Sequence, residues 1–255
     1  MLIVERQQRL LEILRDRTAA DLESLASSLN VSISTARRDL DALEQQGLVE
    51  RTHGGAVYRG PRKHPIAFSD RVTSQTEAKQ AIGSYAASLV QPHMTLLLDG
   101  GSTVYYTAQQ ITARPLQVVT NSLLIANLFA DDEQVELLLI GGTLYPRTGV
   151  LVGPIAENAL ANLHADLLLF SLAGLFEDGG YNLNIEQAQV ERVMIRQAAR
   201  SVMLMDSTKF GRKSLAKVCT LNETQLIVTD PAISSKWRKI LGEQLVIAEQ
   251  QTATT

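Results

Sequence analysis

Polar residues suited to holding an anion follow an apolar run near the middle of the chain. The run covers residues 95–99, and a helical pattern at residues 104–110 comes after it. Around this junction stand Asp99, Gly100, Gly101, Ser102 and Thr103. Backbone N–H groups at the start of a helix, with hydroxyl groups beside them, form a cradle for a phosphate. One such segment is weak evidence, because a glycine after a strand most often marks a simple turn.

The same kind of polar segment follows three more apolar runs. Its members there are Thr120, Asn121, Gly141, Gly142 and Lys209. In an open parallel sheet the carboxyl ends of the strands meet at one edge, so these residues are expected to converge on one crevice. The predicted occupant is a phosphorylated small molecule, and Lys209 supplies a cation for its phosphate. We expect Asp99, Asn121 and Glu186 to hold sugar hydroxyls.

An outward-facing arginine pair is the second feature with recognisable chemistry. Helical periodicity predicts a first helix over residues 5–16, a second that begins after Asp21, and a third that begins after Ser32. The third helix is expected to bury Ile33, Ala36, Leu40 and Leu43. Its outward residues are then Ser34, Thr35, Arg37, Arg38 and Asp41. Two short helices, the second with small hydroxyl residues followed by arginines, fit a helix-turn-helix unit that reads a DNA major groove.

A two-stranded wing is predicted directly after this unit. The runs at residues 48–52 and 56–59 are typical of strands, and residues 53–55 form the turn between them. Arg51, His53 and Gly54 are placed there, beside the flanking phosphates or a minor groove. Together with the third helix and Ser32, they complete the predicted DNA-binding surface.

Bulk charge does not favour the DNA interpretation. Residues 1–60 hold 8 Arg and no Lys against 9 Asp plus Glu, and the whole chain holds 24 Lys plus Arg against 27 acids. The alternative is a small interaction domain in which Arg37 and Arg38 form a solvated face balanced by Asp39 and Asp41. The concentration of both arginines on one face favours DNA, so double-stranded operator DNA is the predicted partner.

Strand and helix patterns alternate in the rest of the chain. Runs rich in Leu, Val and Ile occur at residues 95–99, 116–120, 135–140, 165–172, 201–206 and 225–230. Helix-like segments separate most of them, which indicates an α/β domain with a mostly parallel sheet. Glycine and two prolines interrupt the chain at residues 60–65. We predict a winged helix-turn-helix domain at residues 1–59, a linker at 60–75, and an effector-binding and oligomerisation domain at 76–255.

Composition excludes several classes of protein. The 255 residues are 45% hydrophobic and 20% charged, as in an ordinary globular protein. The single cysteine excludes an intramolecular disulfide and a zinc site built from several thiolates. The longest apolar runs fall far short of the ~20 residues that cross a bilayer, and Glu5 and Arg6 interrupt the N-terminal run before it could act as a signal peptide. We therefore expect a cytoplasmic protein without membrane contact, cofactor or metal.

The first unit resembles the winged helix-turn-helix of DeoR-family bacterial transcriptional regulators. The resemblance lies in residues 31–40, Leu43-Glu44, Gly47 and residues 53–56. Ala36 departs from the family pattern, which usually has a β-branched residue at that place. Because this side chain points inward, we expect slightly looser packing and an unchanged DNA face.

The rest of the chain resembles the sensor domain of the same family. The matching residues are Phe68, Arg71, Glu77, Lys79, 99–103, 120–121, 141–142, Gly149, 152–154 and 206–212. The resemblance implies the fold of ribose-phosphate isomerases, a phosphorylated sugar as effector, and a repressor that leaves the operator of a carbohydrate-utilisation operon when the metabolite accumulates. A homo-oligomer, either dimer or tetramer, is expected because one winged domain reads only one half-site.

A phosphosugar isomerase with an accessory domain is the competing function, and Glu186 near Lys209 favours it. The related isomerases carry Asp-Gly-Ala-Asp where this chain has Ser-Leu-Ala-Gly at residues 171–174, so both active-site carboxylates are missing. Half of the required acid–base system is therefore not visible. We predict a regulator without catalytic residues. The sequence specifies neither the sugar nor whether the regulator represses or activates.

Overall fold

The computed structural model describes residues 3–17, 19–52, 54–58 and 68–249. Its packing divides the chain into two units, Met1–Pro65 and Ile66–Thr255. The predicted boundary between residues 59 and 60 lies outside the described residues.

The first unit combines three helices with a small antiparallel sheet. The helices are α1 (Ile3–Arg17), α2 (Leu22–Leu29) and α3 (Ile33–Gln45). The strands are β1 (Ala19–Asp21), β2 (Val49–Arg51) and β3 (Gly55–Tyr58), in the order β1-β3-β2. Asp21 and Ser32 cap α2 and α3 by accepting from backbone N–H groups, and Asn30 ends α2 in the left-handed conformation. This is the helix-turn-helix with a wing that the sequence predicts.

The apolar stripe of each helix faces a single core in this unit. The core consists of Leu10, Leu14, Leu22, Leu25, Ala26, Leu29, Ala36, Leu40, Leu43, Val49 and Ala56. The predicted inward position of Ile33 is wrong, since its side chain is 46% exposed. Ile33 is the first residue of α3, directly after the Ser32 cap, and is not part of this core.

The strand β1 was not predicted, and it explains one of the wing glycines. Strand β3 pairs with β1 on one side and with β2 on the other, and Gly55 stands opposite Asp21. A Cβ atom on Gly55 would lie 2.1 Å from the carbonyl oxygen of Ala20. Gly55 is therefore required for the close approach of the two strands.

The second unit is an α/β domain. Its strands in chain order are β4 (Thr95–Leu98), β5 (Leu116–Thr120), β6 (Val135–Leu139), β7 (Thr143–Tyr145), β8 (Val150–Val152), β9 (Ala165–Phe170), β10 (Gly174–Phe176), β11 (Gly179–Asn182), β12 (Ala198–Leu204), β13 (Ala216–Cys219), β14 (Leu226–Thr229) and β15 (Leu245–Ile247). Its helices are α4 (Phe68–Thr73), α5 (Thr76–Ser88), α6 (Ser102–Ala108), α7 (Leu123–Phe129), α8 (Pro154–Leu160), α9 (Ile185–Gln197) and α10 (Ser235–Leu241).

Seven strands form one parallel sheet in the order β15-β14-β12-β9-β4-β5-β6. Both of its faces are covered, so alternate residues of each central strand join different cores. Leu96 and Leu98 pack with side chains of α5, α6 and α7, whereas Leu97 packs with side chains of α8, α9 and α10. The predicted α/β fold with a mostly parallel sheet is confirmed.

The strand order reverses between β4 and β9. Chain-consecutive β4, β5 and β6 run outward on one side, and β9, β12, β14 and β15 run outward on the other. In open α/β sheets, loops at such a reversal diverge and ligands bind in the crevice that they leave at the carboxyl ends of the strands, so the candidate crevice is expected beside β4 and β9.

The later part of the predicted linker is not a simple connection. Helix α4 lies inside the segment 60–75 and is held by the second unit. The Phe68 ring contacts the Tyr105 ring edge-on with centroids 5.7 Å apart, and the Tyr106 hydroxyl donates to the Val72 carbonyl at 3.1 Å. The linker prediction failed here because a six-residue helix leaves too short a pattern to recognise.

Two smaller sheets flank the crevice and were not predicted. Strands β7 and β8 form a hairpin, and β10, β11 and β13 form an antiparallel sheet.

Among the described residues, no helix is both long and apolar enough to span a membrane.

Candidate DNA-binding and effector sites

The start of α3 carries a cluster of hydroxyl groups. The Ser32 hydroxyl accepts from the Thr35 backbone N–H at 3.2 Å and lies 2.9 Å from the Ser34 hydroxyl and 2.8 Å from the Thr35 hydroxyl. Ser32 and Ser34 are exposed, and Thr35 is half-buried. This first turn is therefore compact, and its small side chains leave the helix end open to a close partner.

Arg37 and Arg38 are both exposed on α3. Asp39 follows these arginines in the sequence. The alternative interpretation requires its carboxylate to balance their charge at the surface, but the carboxylate is buried. Asp39 is only 3% exposed, and its carboxylate accepts from Arg6 on α1 through two bonds, at 2.5 Å to Nε and 3.1 Å to Nη2. In the alternative interpretation Asp39 balances the arginine pair, and this part of it is wrong, because the charge of Asp39 is paired with Arg6 inside the unit.

Arg51 on the wing is engaged with the same helix. Its guanidinium is paired with the Asp41 carboxylate, and its backbone N–H donates to Glu44 at 2.8 Å. Arg51 thereby joins β2 to α3, which is a bracing contact rather than a free cation at the wing tip. Gly54 is exposed, and His53 lies outside the described residues.

In the second unit, Asp99 lies at the switch between β4 and β9. Its side chain is fully buried, and its Oδ2 atom accepts from the Ser171 N–H at 3.3 Å. Burial raises the pKa of Asp99 to about 6, although the N–H groups of Ser171, Gly100 and Gly101 and the charge of Arg71 oppose this shift. The protein's own carboxylate thus faces the glycine N–H groups that were expected to cradle a phosphate.

The glycine pair after Asp99 is required by packing. A Cβ on Gly100 would lie 2.0 Å from Val150 Cγ1, and one on Gly101 would lie 1.7 Å from the Ser171 hydroxyl. Ser102 and Thr103 begin α6 and are both buried. The segment is consequently pressed against β8 and the end of β9.

Thr120 and Asn121 follow β5, the neighbour of β4. The Thr120 hydroxyl donates to the Leu98 carbonyl at 2.7 Å and accepts from the Ser122 N–H at 3.1 Å. These two bonds use most of the hydrogen-bonding capacity of this hydroxyl. The Asn121 side chain donates to the Leu151 carbonyl at 3.0 Å, whereas its buried Oδ1 atom has no partner within the described part of the chain. Asn121 therefore offers a free acceptor at the crevice.

Gly141 and Gly142 form the turn between β6 and β7. Gly142 has φ of +147°, and a Cβ there would lie 2.7 Å from the Val152 carbonyl oxygen. Gly141 is exposed. This turn starts the β7–β8 hairpin, whose Leu151 holds Asn121.

Lys209 ends a short 3-10 turn after β12. The buried Asp206 caps this turn, and its Oδ1 atom accepts from the Thr208 N–H at 3.1 Å. Lys209 is half-buried. Its charge is close enough to that of Lys79 to lower the pKa of that amine.

Lys79 on α5 ties α4 to this region. The side chain is buried, and its amine donates to the carbonyls of Arg71 and Ser74. Burial lowers the pKa of Lys79 to about 8, with Asp206 opposing the shift and with Lys209 and Arg71 adding to it. The lysine therefore links the segment before α5 to the turn that holds Lys209.

Two charged residues that were not predicted as ligand-binding lie beside Asp99. Glu191 on α9 is 1% exposed, and its Oε1 atom accepts from the Asn182 side chain at 2.5 Å. Burial and the charge of Asp99 raise the pKa of Glu191 well above its usual range. Burial also lowers the pKa of Arg71, which lies within electrostatic reach of both carboxylates.

Glu186 is not part of this group. It is exposed in the first turn of α9, whereas Glu191 is on the inward stripe with Ala188, Val190 and Met194. An acid on an otherwise apolar helical stripe was the signal that could have revealed Glu191 from the sequence. For Arg71, the only signal in the sequence was its place among the residues that resemble the family's sensor domain.

Both halves of the chain match family models. Residues 6–61 match the DeoR-like helix-turn-helix domain, and residues 74–231 match the DeoR C terminal sensor domain. The chain belongs to the DeoR family.

DeoR-family relatives match nearly the whole chain. GolR, an HTH-type transcriptional regulator of Listeria innocua, is 33% identical over 90% of this chain and 91% of its own. The HTH-type transcriptional repressor GlcR of Bacillus subtilis is 33% identical over 96% of each chain. The L-fucose operon activator of Escherichia coli is 33% identical over 88% of this chain and 94% of its own. As a member of this family, the protein is a DNA-binding transcriptional regulator and not an enzyme.

Among solved structures, ribose 5-phosphate isomerase A of Methanocaldococcus jannaschii is similar over 54% of this chain and 55% of its own, with 16% identity and a TM-score of 0.39.

Within the part of the chain that the structure describes, no cluster of three His, Cys, Asp or Glu side chains could hold a metal. Cys219 is buried, and burial raises the pKa of its thiol to about 12, so the thiol remains protonated at neutral pH.

Proposed function

We propose that this regulator represses a carbohydrate-utilisation operon in the bacterial cytoplasm and leaves its operator when a phosphorylated sugar binds the second unit. The exposed arginine pair on α3 is the observation that carries the DNA part. Asp39 is paired with Arg6 and Asp41 with Arg51, so neither acid neutralises Arg37 and Arg38. These two arginines, with the small side chains of Ser32, Ser34 and Thr35, form the surface that enters the major groove.

The wing has a supporting part in this proposal. Arg51 fixes the wing against α3 through Asp41, and Gly54 allows the wing turn to approach a phosphate backbone. His53 keeps its proposed place at the flanking DNA. The ion pair of Arg51 with Asp41 supports a bracing role, so loss of Arg51 should weaken DNA binding through the wing's position.

The effector part places a phosphorylated sugar in the crevice at the β4–β9 switch. Lys209 is the proposed partner of the phosphate, since it supplies a half-buried cation whose charge acts on Lys79, as that of Asp206 does. Asp99 and Asn121 face the sugar hydroxyls. Gly100, Gly101, Ser102, Thr103, Thr120, Gly141 and Gly142 shape the walls of this crevice in the proposal, and Glu186 lies on the exposed turn of α9.

A homo-oligomer, dimer or tetramer, completes the proposal. One winged unit contacts a single half-site, and closed symmetry supplies the second reading surface for a specific operator. The second unit is the proposed site of association, because the apolar side chains of the first unit are largely used in its own core.

Activation of the operon is the second candidate function. It is favoured by one relative, the L-fucose operon activator of Escherichia coli, which is named as an activator. Deletion of the gene, followed by transcript measurement for the neighbouring operons, separates the two. Repression predicts that transcripts of one carbohydrate operon rise in the deletion strain without its sugar. A fall of those transcripts during growth on the sugar would establish activation instead, and unchanged transcripts would refute control of these operons.

A further inference from the structure

Several buried polar atoms around the β4–β9 switch have no hydrogen-bond partner among the residues that the structure describes. They are the acceptors Asp99 Oδ1, Asn121 Oδ1 and Glu191 Oε2, and the donors Arg71 Nε and Nη2. Asp99, Asn121 and Glu191 are each 1% exposed or less. Buried polar atoms are nearly always paired, because an unpaired one loses its hydration without compensation. A group of five such atoms in one region indicates a place prepared for a polar ligand.

These four residues, here called the inner cluster, belong to different elements that meet at the sheet edge. Asp99 and Asn121 follow β4 and β5, which pair in register at Leu98 and Thr120. The charges of Asp99 and Glu191 act on each other, and Arg71 lies within reach of both. Helices α4 and α9 therefore bring a guanidinium and a second carboxyl group close to Asp99, the residue that follows β4.

The inner cluster is unsuited to a phosphate. A phosphate would pair with Arg71, but it would also face the buried carboxyl groups of Asp99 and Glu191, with which it cannot exchange a favourable hydrogen bond when they are ionised. A hydroxyl group satisfies both kinds of partner, because it donates to a carboxylate or amide oxygen and accepts from a guanidinium N–H. If a carboxyl group is protonated, the same hydroxyl accepts from it.

We infer that the inner cluster binds adjacent hydroxyl groups of the effector, so that the sugar carbons point inward and the phosphate points outward to Lys209. This inference rests on the proposed function and adds an orientation and two residues, Arg71 and Glu191, that set specificity. The effector is accordingly a phosphorylated sugar or polyol with at least two neighbouring free hydroxyls away from its phosphate. Inorganic phosphate alone engages only the outer end.

The test compares the wild type with Glu191→Gln and with the control Glu133→Gln, which removes an exposed acid next to the amino end of β6. Calorimetric titrations use inorganic phosphate and a panel of three- to seven-carbon sugar phosphates. We expect the best sugar phosphate to bind the wild type at least 100-fold more tightly than inorganic phosphate. Glu191→Gln should lose at least tenfold of the sugar phosphate affinity with inorganic phosphate unchanged, whereas Glu133→Gln should lose neither. Equal weakening of both ligands in Glu191→Gln, or no sugar phosphate that exceeds inorganic phosphate, overturns the inference.

A second measurement needs no variant and covers the case in which Glu191→Gln fails to fold. The wild type is titrated with single-deoxy analogues of its best sugar phosphate, because a missing hydroxyl leaves buried atoms unpaired. At least one analogue should bind tenfold more weakly, and undiminished binding of all of them contradicts the inference. The proposed function fails separately, namely when no sugar phosphate alters operator affinity. The present inference fails when one does alter it but binds without these hydroxyl contacts.

Discussion

Asp39 and Arg38 are neighbours in sequence but lie on opposite sides of α3 with respect to solvent. Asp39 is buried against Arg6, and Arg38 is exposed. A buried acid that is paired through two bonds fixes the rotation of the helix, because turning it would leave a charge without a partner. The rotation in turn fixes which face of α3 is available to DNA.

Replacing Arg38 by alanine should weaken operator binding at least tenfold, since a good arginine–base contact contributes about 1–3 kcal/mol of discrimination. Sugar phosphate binding should remain unchanged. Arg9→Ala removes an exposed cation from α1 in the same unit and serves as the matched control. Fluorescence anisotropy with a labelled operator gives the affinities, and an Arg38→Ala protein that binds as tightly as Arg9→Ala refutes the assigned role.

The buried Asp99 predicts a pH dependence of stability. Its pKa is raised from 3.8 to about 6 in the folded protein, so the folded state holds this proton more tightly than the unfolded state does. The free energy of unfolding should therefore fall as the pH rises from about 4 to 6, by about 3 kcal/mol at most for a shift of about two pKa units. Glu191 has a shift of the same sign.

Asp99→Asn removes this titration and should flatten the fall in stability between pH 4 and pH 6. Urea unfolding at a series of pH values measures the effect, with the slope as the readout rather than stability at one pH. A slope as steep in Asp99→Asn as in the wild type would show that Asp99 does not titrate in this range.

At the scale of the elements, the wing depends on the close contact of β1 and β3. Gly55→Ala places a methyl group 2.1 Å from the Ala20 carbonyl oxygen, whereas the corresponding atom on Gly54 meets nothing within 4 Å. Gly55→Ala should therefore lower the stability of the first unit by a few kcal/mol, about the size of other backbone clashes in tight sites. Gly54→Ala should change it by less than about 1 kcal/mol. Thermal unfolding of both variants distinguishes them, and equal midpoints would contradict the β1–β3 contact.

The helices of the first unit were predictable from sequence because their periodicity and caps are local. Leu22, Leu25 and Leu29 mark the buried stripe of α2, and Ser32 marks the start of α3, as the structure confirms. Six of the seven strands of the central sheet were also predicted as apolar runs, whereas the three-residue edge strand β15 was not. These signals depend on residues a few positions apart.

The missed features depend on contacts between residues far apart in the chain. Strand β1 has three residues and is defined only by its pairing with β3. Glu191 became a candidate because α9 packs it beside Asp99, and Arg71 because α4 joins the second unit. Neither approach is encoded by spacing within one segment. For the same reason, Glu186 was expected among the residues that hold sugar hydroxyls because of its side-chain chemistry, and its exposure became visible only in the folded chain.

At the scale of the whole molecule, the two activities are assigned to two separate units. Ligand control then requires that the effector bind two global states with different affinity, since equal affinity shifts no equilibrium. Helix α4 and Lys79 lie between the first unit and Asp99 in the sequence, and the Lys79 amine donates to the carbonyls of Arg71 and Ser74. The proposed path of control therefore runs through this part of the chain.

The most direct test is operator affinity with and without the sugar phosphate that most stabilises the protein. At 100 times its dissociation constant such a ligand should add about 2.7 kcal/mol to the free energy of unfolding, which verifies occupancy by thermal shift. We expect operator binding to weaken at least tenfold in the wild type and to be unaffected by the ligand in Lys209→Ala. Operator affinity that stays the same while the wild type is fully occupied would contradict it.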